Sequence, residues 1–369
     1  MKKLLFSVCF VSSLLLSCSS SDNSETNNNN TKGYDRTAML TNWADNIIIP
    51  AYENYSSKVN TLSQRTAAFT ASPDASTLAS LRTEWQNAYT AYQYVAMYDF
   101  GKAAELYLKQ SANTYPTDVT GIQANIASGT YNLNLQAQFT KQGFPAVDYL
   151  INGQGTDSET ISFFANANAS AYLTTVVNQL KTIAETVTAD WKTNFRSQYI
   201  QNNGTSVTSS VNKTTNNFIK NLEKDVRTAK MGIPAGLFSN GTTFPDKVEA
   251  YYKNDVSKVL LNAGMQAEVD FFNGKAFNGT STGASLKSAL DDVKVVRNNQ
   301  NLSDIINNQF NLVFAANNTL SDSFSQQIVN DNAKMLAAYS ALQQNVVYIK
   351  VDMMQALNMT IDYVDGDGD

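Results

Sequence analysis

The chain has 369 residues, with 27 basic and 32 acidic side chains, two cysteines and no histidine, for a formal charge of −5. Its length predicts two domains, and the lack of a basic block excludes nucleic acid as a natural partner. The missing histidine excludes Ser-His and Cys-His nucleophile pairs, the HExxH zinc helix, and the Glu-x-x-His pairs of di-iron bundles.

The N-terminus reads as an address. Lys2 and Lys3 precede an apolar run from Leu4 to Leu16. That run is too short to span a bilayer comfortably, so residues 1–17 are predicted to be a signal peptide. Its end, Leu15-Leu16-Ser17-Cys18, resembles the bacterial lipobox. Cys18 is therefore the expected lipidated first residue, and the membrane is the expected partner through it. Ser19 after the cysteine resembles outer-membrane sorting, with the protein facing the periplasm or the surface. Cys9 would leave with the signal, which leaves no thiol for a disulfide or a thiolate metal site. Residues 18–33 are Ser, Asn and acid, the composition of a flexible tether.

From residue 34 onward the apolar spacing is helical, and the predicted fold class is all-α. Leu78, Leu81, Trp85, Ala88, Tyr92 and Val95 step by threes and fours. So do Leu173, Val176, Leu180, Ile183 and Val187, and then Met335, Tyr339, Leu342, Val346, Ile349 and Met353. That alternation is the seam of nearly antiparallel helices, as in four-helix bundles. Pro73-Asp74 separates two helices, and Ser158-Glu159 is the expected start of another. The halves also echo each other. Tyr52-x-Asn54-x-x-Ser57-Lys58-Val59 returns at Tyr252–Val259, Ala79-Ser80-Leu81 at Ala284-Ser285-Leu286, and Gln138-Phe139 at Gln309-Phe310. The echoes predict a duplicated bundle, with domains at 34–203 and 204–363 and an interface suited to a ligand. The tail, residues 364–369 after Asp362-Tyr363, has the D-x-D-G-D start of a calcium loop. It ends before the later ligands, so calcium is a weaker expectation than a plain acidic end.

Several segments occur together in a telling order. They are Pro50-Ala51-Tyr52-Glu53, Leu81-Arg82-x-x-Trp85, Tyr115-Pro116-Thr117-Asp118, Gly143-Phe144-Pro145-Ala146-Val147-Asp148-Tyr149-Leu150, and Gly232-Ile233-Pro234-Ala235-Gly236 followed by Val248-Glu249-Ala250-Tyr251-Tyr252. This set resembles the imelysin family, in particular the imelysin-like lipoproteins of Bacteroidetes, over nearly the whole folded region. The resemblance implies two helical bundles, an envelope location, a link to iron uptake, and a peptidase label. The family signature is Gly-x-His-x-x-Glu. Gly143 matches its glycine, Pro145 stands at its histidine, and Asp148 stands at its glutamate.

Proline can neither ligate a metal nor carry a proton, so hydrolysis through this motif is not expected. Gly143 permits a turn, and Pro145 suits the first turn of a helix. Asp148 is then either a first-turn acid favoured by the helix dipole or an acid that faces a ligand. Asp118 reads as an N-cap or a site acid. Glu249, on an expected helix over Val248–Tyr252, reads as a solvated face or a site acid. Any metal site would have to be built from oxygen, which suits calcium, magnesium or ferric iron. The expected role is non-catalytic binding linked to iron or haem uptake, with an outer-membrane uptake protein as a candidate partner. The expected site is a cleft near Gly143, Phe144, Pro145, Asp148, Asp118, Tyr115 and Glu249. The rivals are a carboxylate-only metallopeptidase and a structural or adhesion lipoprotein.

Overall fold

The computed structural model describes residues 33–363. The expected signal peptide, Cys18, nearly all of the tether and the acidic tail lie outside the described residues. The described residues belong to one compact unit. None of its helices is long and apolar enough to cross a membrane.

The first long helix runs without a break from Arg36 to Ala71, but its winding opens to π over Trp43–Ile48. Pro50 sits just beyond and has no N–H to continue the ladder. The carbonyl of Asn46 instead accepts the distant N–H of Phe277 at 2.8 Å. A sequence defect thereby becomes a tie between the two halves of the chain.

We label the helices that carry the argument α1 (Ile49–Ala71), α2 (Ala75–Gln93), α3 (Gly143–Asn152), α4 (Ala167–Asp190), α5 (Ser210–Lys220), α6 (Ser257–Asn273), α7 (Leu302–Asn318) and α8 (Phe324–Val347). α1 packs on α2 and α4, and the apolar stripes of all three are buried there, including Leu62, Leu81, Trp85, Val176 and Leu180. Asp74 caps α2 in a reciprocal capping box with Thr77, which fixes the turn that Pro73 begins. In the second half α7 packs on α6 and α8, and α8 packs on a π-helical stretch, Asn221–Gly232, that continues α5. α6 also packs against α2, so contact crosses the expected division near Asn203. The loop there is itself tied back, with Asn203 Nδ2 donating to Thr37 Oγ1 at 2.7 Å and Arg36 Nη1 to Gly204 O at 2.9 Å.

Two local expectations are corrected. The helix near Ser158 starts earlier, because Thr156 and Glu159 form the capping box and Ser158 lies inside the first turn. Val248–Tyr252 is not helical, since Ala250 and Asn254 adopt φ of +57° and +64°. The sequence echoes agree in part, since Ser57–Val59 and Ser257–Val259 are both helical, and differ in part. Asn54 lies inside α1 while Asn254 is in a left-handed turn, and Gln138 lies in a 3-10 helix while Gln309 lies inside α7. The strand content of the described residues is one short hairpin pairing Val296–Arg297 with Gln300–Asn301.

Candidate functional site

α3 carries the histidine-free motif, and its entry is built around Gly143. The residue has φ +78°, and a Cβ there would sit 2.4 Å from Ala112 O and 2.5 Å from Ser111 O. Those are backbone atoms, so only glycine fits. Pro145 follows in the first turn, where a missing N–H costs nothing. α2 holds both ends of this helix. Trp85 Nε1 donates to Phe144 O at 3.1 Å, and Arg82 Nε and Nη2 donate to Ile151 O at 2.9 and 2.7 Å. Phe144 stacks on Tyr89 with ring centroids 4.6 Å apart and planes 9° from parallel.

Asp148 is almost fully buried, at 1% exposure. Its Oδ2 accepts the backbone N–H of Tyr252 at 2.9 Å, and its Oδ1 accepts that of Lys253 at 2.9 Å and Asn152 Nδ2 at 2.9 Å. Burial pushes the carboxyl up to about 7, while these donors and the nearby Lys253 pull it back. The side chain therefore works as a clamp. It grips two successive amides of the 248–254 turn and holds that turn against α3.

The same turn delivers Glu249 to the interior, where it is 2% exposed. The expected solvated helical face is thus replaced by a buried network. Glu249 Oε1 accepts from Asn113 Nδ2 at 2.7 Å and Gln93 Nε2 at 3.2 Å, and Oε2 accepts from Lys230 Nζ. Lys230 Nζ also donates to Gln93 Oε1 at 3.0 Å, and Tyr89 OH donates to Asn113 Oδ1. Every polar group here has a partner, which a buried ion pair requires.

A cavity of about 490 Å³ adjoins this network. One wall is the π-helical stretch, which presents Asn221, Asp225, Val226, Ala229 and Lys230. Those residues recur at every fourth or fifth position, the spacing that i→i+5 winding brings to one face. The facing wall carries Tyr92 and Gln93 from α2, Tyr115-Pro116 from a loop, and Lys247 from a 3-10 turn. Lys109 and Asp225 form an ion pair at its rim. A smaller cavity of about 190 Å³ shares Tyr115 and Pro116 and adds Pro145, Asp148 and Tyr252.

The structure thus gathers most of the expected site. Gly143 and Phe144 frame it, while Pro145, Asp148 and Tyr115 line the smaller cavity, and Glu249 stands behind the larger one. Asp118 stands apart. It caps the helix Val119–Ser128 by accepting Gly121 N–H at 2.9 Å, and it lines neither cavity. Gln93, Lys230, Tyr92 and Lys247 were not read as site residues from the sequence. A signal existed for Gln93, a polar residue four and eight positions beyond Tyr89 and Trp85 on an otherwise apolar stripe. Among the described residues, no three acidic, histidine or cysteine side chains come together as a metal site would require.

The family model for imelysin matches residues 48–350. The chain belongs to the imelysin family. Its fold is shared by an imelysin-like protein from Psychrobacter arcticum 273-4, with a TM-score of 0.71 at 17% identity, covering 90% of this chain and 99% of that one. It is also shared by a protein from Parabacteroides distasonis ATCC 8503 that carries the name of an iron-regulated protein A precursor, with a TM-score of 0.70 at 18% identity, covering 86% and 95% of the two chains. No curated protein matches this imelysin.

Proposed function

We propose that this imelysin is a lipid-anchored envelope protein that binds a ligand without transforming it, in the service of iron or haem acquisition. The observation that carries the non-catalytic part is the state of the motif. Pro145 has no group for proton transfer or ligation, and both oxygens of Asp148 are taken by N–H donors. The adjacent cavity of about 490 Å³ is of the size and mixed character that small-ligand sites have. The link to iron is supported by the family and by the name of the Parabacteroides relative.

Calorimetry on protein lacking the tether tests this reading. Haem, ferric citrate and calcium chloride are titrated in turn, and an iron-bearing ligand is expected to bind at micromolar concentration or tighter. Chelator-sensitive turnover of a peptide library would overturn the non-catalytic reading. Anchoring is tested separately. A Cys18→Ala variant is expected to leave the membrane fraction, and its retention there would refute lipidation at that residue.

A further inference from the structure

The charges around the larger cavity do not cancel. Lys109 pairs with Asp225, and Lys230 pairs with Glu249. Lys247 is the exception. Among the described residues no carboxylate lies within ion-pair distance of its ammonium, which instead rests 3.8 Å from the centroid of the Phe244 ring. That contact takes up one side of the ammonium and leaves donor directions open on the other. Lys247 closes a 3-10 turn, Pro245–Lys247, two residues before the deeply anchored Glu249. Its position is therefore fixed by the same segment that builds the buried network.

Two more donors line this cavity. The hydroxyls of Tyr92 and Tyr115 make no hydrogen bond within the described residues, and Tyr92 is only 2% exposed. Burial and the nearby carboxylates push both phenols well above their ordinary range, so both keep their protons as donors. Neither oxygen is among the sealed, unpartnered side-chain atoms of the described residues, so both are open to a ligand or to water. The remaining lining is largely apolar, with Ala96, Val226, Ala229 and Ile233. One unpaired cation and two hydroxyl donors call for an oxyanion, and the apolar lining calls for an organic body. A bare metal cation meets the wrong sign of charge and finds no cluster of acids.

We infer that the cavity receives an organic carboxylate, with the carboxylate group on Lys247 and the Tyr92 and Tyr115 hydroxyls. This rests on the ligand-binding reading above and names its chemistry. Where iron is involved, it would arrive as an anionic chelate or as haem through its propionates. The source of the carboxylate is a matter for the assay.

Three variants and four probes decide it. Citrate, ferric citrate, haem and haem dimethyl ester are titrated into wild type, Lys247→Gln, Tyr92→Phe and Ala229→Phe. The last fills the cavity without touching a donor. At least one free carboxylate is expected to bind wild type. Lys247→Gln is expected to weaken it about tenfold or more, as loss of a charge-assisted hydrogen bond does, and Tyr92→Phe by a smaller factor. Binding should fall with added salt, and masking the propionates as esters should weaken haem to a similar degree. Citrate binding alone identifies a free acid, ferric citrate binding alone a chelate, and haem binding alone a propionate. Binding abolished by Ala229→Phe but indifferent to Lys247→Gln and to esterification would overturn the carboxylate inference and leave the ligand-binding reading intact. Binding indifferent to Ala229→Phe as well, or no binding by any probe, would overturn both. Circular dichroism of each variant confirms that the fold is retained.

Discussion

Asp148→Asn separates the clamp from its charge. The amide has the same shape but one acceptor fewer, so its NH₂ must face the N–H of Tyr252 or of Lys253, each 2.9 Å from a carboxylate oxygen in the native protein. A buried donor left without an acceptor costs about 1–3 kcal/mol. The native carboxyl also titrates, from an ordinary 3.8 up to about 7 in the fold. An acid raised in this way contributes stability that is complete below the unfolded value and is lost as pH rises through the folded one. Between pH 5 and pH 8 the wild type should therefore lose about 2–3 kcal/mol from this group, at about 1.4 kcal/mol per unit up to the folded value. The asparagine variant has no such loss, and every other titrating group is shared by the two proteins. Urea unfolding of both across that range should show the variant less stable at pH 5 by about 1–3 kcal/mol, with the gap closing or reversing by pH 8. A gap that stays flat, or widens with rising pH, would refute the reasoning. It would mean that the three donors outweigh burial and hold the carboxyl ionised.

Gly143→Ala should lose more than about 2 kcal/mol, combining a left-handed alanine with overlap on the backbone of Ser111 and Ala112. An unchanged urea midpoint would show that this backbone yields. Glu249→Ala should cost about 3–5 kcal/mol by stranding the Lys230 ammonium, while the double change Lys230→Met with Glu249→Leu should recover most of it. If the double variant is as unstable as the single one, the ion pair is not the source. Arg82→Met should cost about 1.5–3 kcal/mol through the lost bonds to Ile151 O, whereas Asp157→Ala, at the exposed end of the same arginine, should cost under about 1 kcal/mol. Equal losses in thermal melts would place the energy in the surface pair instead.

The helices were legible because their burial follows a period that sequence displays. Leu81, Trp85, Leu180 and Leu342 all lie in the core at the positions their spacing assigned. What escaped was set by tertiary contact. Glu249 and Ala250 favour a helix, yet Asp148 takes the amides of Tyr252 and Lys253 that a helix would need, and the chain turns instead. The π winding of Asn221–Gly232 is likewise invisible to a search at 3.6 residues. It rotates Asn221, Asp225 and Lys230 onto a shared wall that a regular helix would divide between two faces. Lys230 gave no site signal because its partners Gln93 and Glu249 lie 137 and 19 residues away.

The pairing of Pro145 with Asp148 makes physical sense once the 244–257 segment is followed along its length. Phe244 supports Lys247 beneath its ammonium, Glu249 is held by Lys230, Gln93 and Asn113, the next turn is gripped by Asp148, and Ser257 Oγ donates to Glu249 O at 2.8 Å as α6 begins. Few of these residues could move alone. A glutamate at 148 would reach one methylene further into a space now closed by two backbone amides at 2.9 Å. A histidine at 145 would bring a polar ring to a buried position now held by proline. Proline and aspartate are thus matched to each other and to the turn they hold. Placing histidine at 145 or glutamate at 148 singly should disturb the clamp, because the carboxylate at 148 is already committed to the backbone.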